Sequence, residues 1–155
     1  MTKIYQGVVD NVKGDCIRAV VASLLDKDLL EVPHFLEYES WFSEFRKYLS
    51  DEGYKFYGML HNAQGENVLE EFHLRSLKNF EGIDGYFYGS VYSPMYFDLE
   101  EYRNHGVSAT HAVVIDTNYN IVHDPNPFNK EVKIYPLAEE IGHNGIINVW
   151  LIRKK

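Results

Sequence analysis

Residues 14–25 read GDCIRAVVASLL, and this stretch decides how the first half of the chain folds. Gly14 interrupts the chain, and Asp15 is a residue type favoured at a helix N-cap. Apolar residues then recur at the spacing of one helix face: Ile17, Val20, Val21, Leu24 and Leu25. The stretch therefore predicts an amphipathic helix that carries Cys16 in its first turn.

The region that follows also has mainly helical character. Apolar residues at helical spacing predict a second helix over residues 40–51, with Gly53 just past its end. Residues 54–60 are expected to form a short strand and residues 61–68 a loop. A third, weaker helical pattern covers residues 68–78.

Beyond Gly82 the pattern changes to alternation, which is typical of strands. We expect strands over residues 85–92, 111–116, 120–123, 132–135 and 146–152. Residues 117–120 have the composition of a tight hairpin turn, residues 95–109 are irregular, and residues 136–141 fit one helical turn. Helices first and antiparallel strands later predict an α+β fold, with N-terminal helices packed on a C-terminal antiparallel sheet.

Composition limits the class of protein. A length of 155 residues fits a single domain, 1–155. With a net charge of −8 and no basic cluster except at residues 153–155, nucleic acid is not an expected partner. The sequence has no run long and apolar enough for a membrane helix, and its first residues lack the apolar run of a secretory signal. We therefore expect a cytoplasmic protein with no membrane partner, and its oligomeric state is left open.

The chain has a single cysteine, so neither an intrachain disulfide nor a multi-cysteine metal site can form. Such a cysteine is either an inert apolar residue or a reactive thiol. Unpaired N–H groups and the dipole at the start of a helix favour the thiolate of Cys16, whereas the charge of Asp15 opposes it. A histidine partner would have to supply most of the activation.

His111 and Asp124 are the residues that fit this need. His111 begins an apolar strand after a flexible loop, and Asp124 ends the next strand, where two prolines follow closely. A hairpin through residues 117–120 brings the end of its second strand beside the start of its first, so Asp124 is expected near His111. Taken singly, His111 also fits a surface histidine and Asp124 a turn residue.

Two neighbours of Asp124 compete for its role. Asn126 lies between two prolines and is expected to be extended beyond the end of the strand. His123 should point to the opposite face, because side chains alternate along a strand. Asp124 is the last residue that can still pair with the neighbouring strand, which would fix its position, so it is our candidate for orienting the imidazole.

Together these segments resemble papain-like cysteine peptidases, in particular the bacteriocin-processing peptidase domains of bacterial exporters and small bacterial and phage proteins. The resemblance rests on residues 14–16 with their helix, residues 30–35, residues 111–114 and residues 123–125. Residues 40–105 match no family that we can name. The resemblance implies a papain-like fold and a cysteine-dependent hydrolase, either peptidase or amidase. Its Cys16–His111–Asp124 triad would act on a peptide or amide-containing substrate through a thioester, with no cofactor and no metal.

The resemblance also implies an oxyanion-hole glutamine upstream of the cysteine. Gln6 is the only glutamine there, although its distance from Cys16 along the chain is longer than in those families. Its amide would donate to the oxyanion together with the Cys16 N–H. An exposed N-terminal glutamine without a role is the alternative.

Three other functions stay open at this point. His105, His111, His123 and Asp124 could form a metal site with Cys16, but no established metal-binding spacing is present. The triad could serve acyl transfer, as in transglutaminases, or deamidation. Finally, a papain-like groove can bind peptides without catalysing a reaction.

Overall fold

The computed structural model describes residues 1–9, 14–60, 77–78, 80–93, 110–129, 135 and 138–155, without the side chains of residues 58–60, 140 and 141. Its helices are α1 (Cys16–Leu25), α2 (Trp41–Asp51) and the short α3 (Ala138–Ile141). Its strands are β1 (Tyr54–Leu60), β2 (Phe87–Tyr92), β3 (Thr110–Ile115), β4 (Ile121–His123) and β5 (Ile146–Lys154). The loops predicted at 61–68 and 95–109, most of the helix predicted at 68–78 and the strand predicted at 132–135, apart from Tyr135, lie outside the described residues.

The five strands form one antiparallel sheet in the order β1-β5-β2-β3-β4, so the predicted α+β class is confirmed. The sheet is not wholly C-terminal, however. β1 comes from the N-terminal half and pairs with β5 along its whole length. Without β1, one side of β5 would present unpaired backbone groups, so the first half of the chain supplies the strand that completes the sheet.

Apolar side chains pack on both faces of the sheet. The face under α1 and α2 holds Val20, Leu24, Phe45, Tyr88, Ala112 and Val114, among others. The opposite face holds Leu77, Phe87, Val113, Ile115, Tyr119, Tyr135 and Leu151, among others. Side chains alternate along β3 between these two faces: Ala112 and Val114 face the helices, whereas Val113 and Ile115 face away.

Two tight turns explain why β2 and β4 begin later than predicted. Asp84 and Gly85 both have positive φ, at 54° and 84°, so they make a turn and β2 starts at Phe87 instead of residue 85. In the β3–β4 hairpin, Asp116 Oδ1 accepts the N–H groups of Asn118 and Asn120, at 2.8 and 3.0 Å. This holds Asn120 in the turn, so β4 starts at Ile121.

None of the helices in the described part of the chain is long and apolar enough to cross a lipid bilayer.

Candidate active site

Cys16 is the first residue of α1 and is partly exposed. The N–H groups of Ala112 in β3 and of Ile17 in the first helical turn donate hydrogen bonds to its sulfur. Because α1 packs mainly on β3, the helix start and the beginning of that strand meet at the sulfur. This arrangement provides the unpaired helix N–H groups that stabilise a thiolate.

His111 links Cys16 to Asp124. The ring is nearly buried, and its Nε2 donates to Asp124 Oδ1 at 2.6 Å. The imidazole also shares a hydrogen bond with the Cys16 thiol. Since Nε2 is taken by the carboxylate, Nδ1 is the ring nitrogen left for the sulfur. The structure thus brings the three residues predicted from the sequence into one hydrogen-bonded chain.

Asp124 accepts four hydrogen bonds from the residues that the structure describes, more than the sequence indicated. Oδ1 receives His111 Nε2 and the backbone N–H of Asn126, the latter at 2.9 Å. Oδ2 receives Asn129 Nδ2 at 3.0 Å and the Tyr135 hydroxyl at 2.6 Å. Asp124 lies one residue past the end of β4, so the expectation that strand pairing fixes it is wrong. These side-chain bonds hold it instead.

Electrostatics favour the charged pair. Burial acts to raise the pKa of the Cys16 thiol, but the hydrogen bond and charge of His111 and two backbone N–H groups outweigh it, so the pKa lies below the ordinary 9.0. Burial acts to lower the pKa of His111, but its bonds to Asp124 and Cys16 raise it from 6.5 to about 10. Because the imidazolium holds its proton to higher pH than the thiol does, the thiol loses its proton first, and the thiolate forms beside a charged imidazolium.

Asp124 is itself held in the ionised form. Burial raises the pKa of its carboxyl, but the hydrogen bond and charge of His111, followed by the Tyr135 hydroxyl and the Asn126 N–H, bring it below the ordinary value. A permanent anion beside His111 stabilises the imidazolium and fixes which ring nitrogen faces the sulfur.

The two rivals of Asp124 have other roles. His123 Nε2 donates to the carbonyl of Ile4 at 2.6 Å, and its ring meets Tyr5 edge-on at 5.0 Å, on the other side of the strand. Asn126 Oδ1 accepts the N–H of Phe128 at 2.9 Å, which shapes the turn after Asp124. Neither side chain contacts His111 in the hydrogen bonds of the described residues.

Gln6 lies in an N-terminal segment that runs beside the site. Its backbone N–H donates to the carbonyl of Pro125 at 2.9 Å, one residue from Asp124. Its side-chain Nε2 donates to the carbonyl of Val8 at 3.0 Å, which also accepts the N–H of Asp15. The Gln6 amide is therefore close to the start of α1, and its Oε1 is buried without a partner among the described residues.

Asp15 does not cap α1 with its side chain, contrary to the sequence-based expectation. Its buried carboxylate accepts the N–H groups of Gly7, at 3.3 Å, and Val8, at 2.9 Å, and lies 3.8 Å from Arg18 Nη1. The carboxylate has turned from its own helix to the N-terminal segment, because that segment offers two donors in a site closed to water. Asp15 thereby ties the segment of Gln6 to the residue before Cys16.

Sequence reasoning missed Tyr135 and Asn129. Asn129 ends a short turn after two Asx-Pro pairs, a pattern that predicts a turn but not a contact to Asp124. Tyr135 lies in a predicted strand, and no local pattern marks the partner of its hydroxyl.

The metal alternative requires a cluster of ligating side chains. The described residues contain no group of three or more His, Cys, Asp or Glu side chains that could hold an ion. His105, which that alternative included, lies outside them.

No protein-family model matches the chain, and neither the curated proteins nor the solved structures contain a significant match.

Proposed function

We propose that the protein is a papain-like cysteine hydrolase that cleaves a peptide or another amide through a thioester. The observation that supports the proposal most directly is the hydrogen-bonded chain from Cys16 through His111 to the buried Asp124 carboxylate. A nucleophile, a base and an orienting anion are the parts that acyl transfer requires.

In this mechanism the Cys16 thiolate attacks the substrate carbonyl, and the carbonyl electron pair moves to oxygen. In this proposal the oxyanion accepts hydrogen bonds from the Cys16 N–H and from the Nε2–H of Gln6 that is not bonded to the Val8 carbonyl. His111 then gives its proton to the leaving amine as the C–N bond breaks, which leaves a thioester on Cys16. Neutral His111 next removes a proton from water, which attacks the thioester and releases the acid and the thiolate.

Alkylation with iodoacetamide tests the thiolate, because Cys16 is the only thiol that can react. The lowered pKa of Cys16 predicts that, at a pH below the ordinary thiol value of 9.0, the folded protein is alkylated faster than the same protein unfolded in denaturant. His111→Ala removes the hydrogen bond and the charge that lower the Cys16 pKa but leaves the thiol buried. Cys16 in this variant should therefore be alkylated more slowly at that pH. His34→Ala is the control histidine variant and should leave the rate unchanged.

Hydrolysis should depend differently on pH. It needs the His111 proton for the leaving amine, so turnover should decline as pH rises through about 10, whereas alkylation should not.

A library of peptides and small amides identifies a substrate, and Cys16→Ala should abolish turnover without loss of the fold. A folded wild-type thiol that titrates at its ordinary value, or a Cys16→Ala variant with full activity, contradicts the proposal.

A further inference from the structure

Tyr135 donates one of the two shortest hydrogen bonds to Asp124. The hydroxyl lies 2.6 Å from Oδ2, and the residue is 7% exposed among the apolar side chains of the sheet face opposite α1 and α2. Besides His111, the other donors among the described residues are Asn126 and Asn129, which belong to the same turn as Asp124. Tyr135 is thus the donor that ties Asp124 to the core and not only to its own loop.

Both carboxylate oxygens must be held if only one of them is to face the histidine. A carboxylate turns easily about its terminal torsion, because that torsion is broad and two-fold. The bond from His111 to Oδ1 does not by itself prevent such a turn. Donors at Oδ2 oppose it, because a rotation would then break hydrogen bonds at both oxygens of a charged group. Tyr135 supplies such a donor from the core at 2.6 Å, and Asn129 supplies one from the loop at 3.0 Å.

We propose that Tyr135 is a positioning residue that holds Oδ2 of Asp124, so that Oδ1 stays directed at His111 Nε2. The inference rests on the proposed function and adds a fourth residue to its machinery. Tyr135 acts through Asp124 and His111 and not by contact with the substrate. Its removal should therefore affect catalysis and thiolate formation but not substrate binding.

Tyr135→Phe tests this with the least change in packing, because the ring stays and only the hydroxyl is lost. We expect kcat to fall about tenfold or more, the order expected for losing one hydrogen bond to a charged group, with KM unchanged. The loosened carboxylate stabilises the imidazolium less, so the midpoint of Cys16 alkylation with iodoacetamide should move to higher pH. A purely structural tyrosine would not move that midpoint.

Tyr119→Phe is the matched control. Tyr119 belongs to the same cluster and has the same 7% exposure, but its buried hydroxyl has no hydrogen-bond partner among the described residues. Its kinetics and alkylation profile should match the wild type. Replacement of Tyr135 by 4-aminophenylalanine, which keeps the ring and puts an N–H donor at the place of the hydroxyl, provides a second variant and should return the alkylation midpoint toward the wild-type value.

The outcomes separate the two proposals. If the wild-type thiol titrates as an ordinary thiol, the proposed function fails. If the wild type has the low-pH reactivity but folded Tyr135→Phe gives the same midpoint and kcat as the wild type, the role of Tyr135 fails while the proposed function stands. If Tyr135→Phe does not fold, a midpoint in the folded 4-aminophenylalanine variant equal to that of Asp124→Ala also overturns it.

Discussion

Asp124 and His123 are neighbours in the chain, but their side chains serve opposite faces of the sheet. His123 bonds to the carbonyl of Ile4, whereas Asp124 bonds to His111 and Tyr135. Successive side chains of an extended segment point in opposite directions, so only one of the two can reach the imidazole. A shift of one residue in β4 would exchange them and leave His111 without its anion.

This arrangement predicts a clear ranking of single substitutions. Asp124→Ala should lower turnover about 10²–10⁴-fold, because the imidazolium loses the anion that orients and stabilises it. His123→Ala and Asn126→Ala should cost much less, since neither side chain contacts His111 in the described structure. Turnover of the three variants on one substrate is the measurement.

Asn126→Ala also loses the Asx bond to Phe128, so its unfolding free energy should be measured beside its activity. That comparison separates a loosened turn from a lost catalytic contact. A severe effect of Asn126→Ala on kcat at unchanged stability, with a mild effect of Asp124→Ala, would show that the triad is assigned to the wrong residue.

At the level of elements, the N-terminal segment is fixed at two places on either side of Gln6. After Gln6 in the chain, the N–H groups of Gly7 and Val8 donate to the Asp15 carboxylate. Before Gln6, the Ile4 carbonyl accepts a hydrogen bond from His123. The segment therefore joins the start of α1 to the end of β4. α1 carries Cys16, and β4 ends at the residue before Asp124.

Substitution of Asp15 tests this connection. Asp15→Ala should lower the free energy of unfolding by about 2–3 kcal/mol, because it removes a charged acceptor from two backbone donors. Asp15→Asn keeps one acceptor oxygen and should lose less. Urea unfolding measures both.

The exposed Asp51 supplies the control. It pairs with Lys47 on the surface of α2, and such pairs contribute little, so Asp51→Ala should change stability far less. Equal losses in Asp15→Ala and Asp51→Ala would mean that the N-terminal segment does not depend on the buried carboxylate.

At the scale of the whole molecule, a cluster of aromatic rings joins α2 to the sheet. The Phe45 ring centroid lies 5.4 Å from that of Phe35, and 5.3 Å from those of Phe56 and Trp150. Trp150 in turn stacks on Tyr88 at 4.4 Å, so the cluster spans β1, β5 and β2. It fastens the N-terminal helices to strands from both halves of the chain.

Loss of one central ring should therefore weaken the whole fold. Phe45 is fully buried, so Phe45→Ala should lower the unfolding free energy by about 3–5 kcal/mol through lost burial and a cavity. Phe42→Ala, at a ring of the same helix that is 38% exposed, should cost clearly less. Urea unfolding followed by circular dichroism gives both values, and equal losses would contradict a core centred on Phe45.

Sequence periodicity was a good guide to single elements. The strand predicted at 54–60 has those bounds in β1, and the helix predicted at 40–51 differs from α2 only by its capping residue. Where boundaries moved, as at Gly85 and Asn120, a side-chain bond or a positive φ shortened the strand. Such local competition does not alter the apolar pattern, so the pattern cannot reveal it.

The sequence by itself determined the α+β class, the helix that begins at Cys16, and the hairpin that returns Asp124 to His111. All three depend on periodicity and turn chemistry over short stretches of chain. Only the tertiary structure decided that β1 completes the sheet beside β5, that Asp15 binds the N-terminal segment instead of capping its helix, and that Tyr135 holds Asp124. These contacts join residues whose partners are chosen by packing and by the need of buried polar groups for hydrogen bonds, and neither condition leaves a local pattern in the sequence.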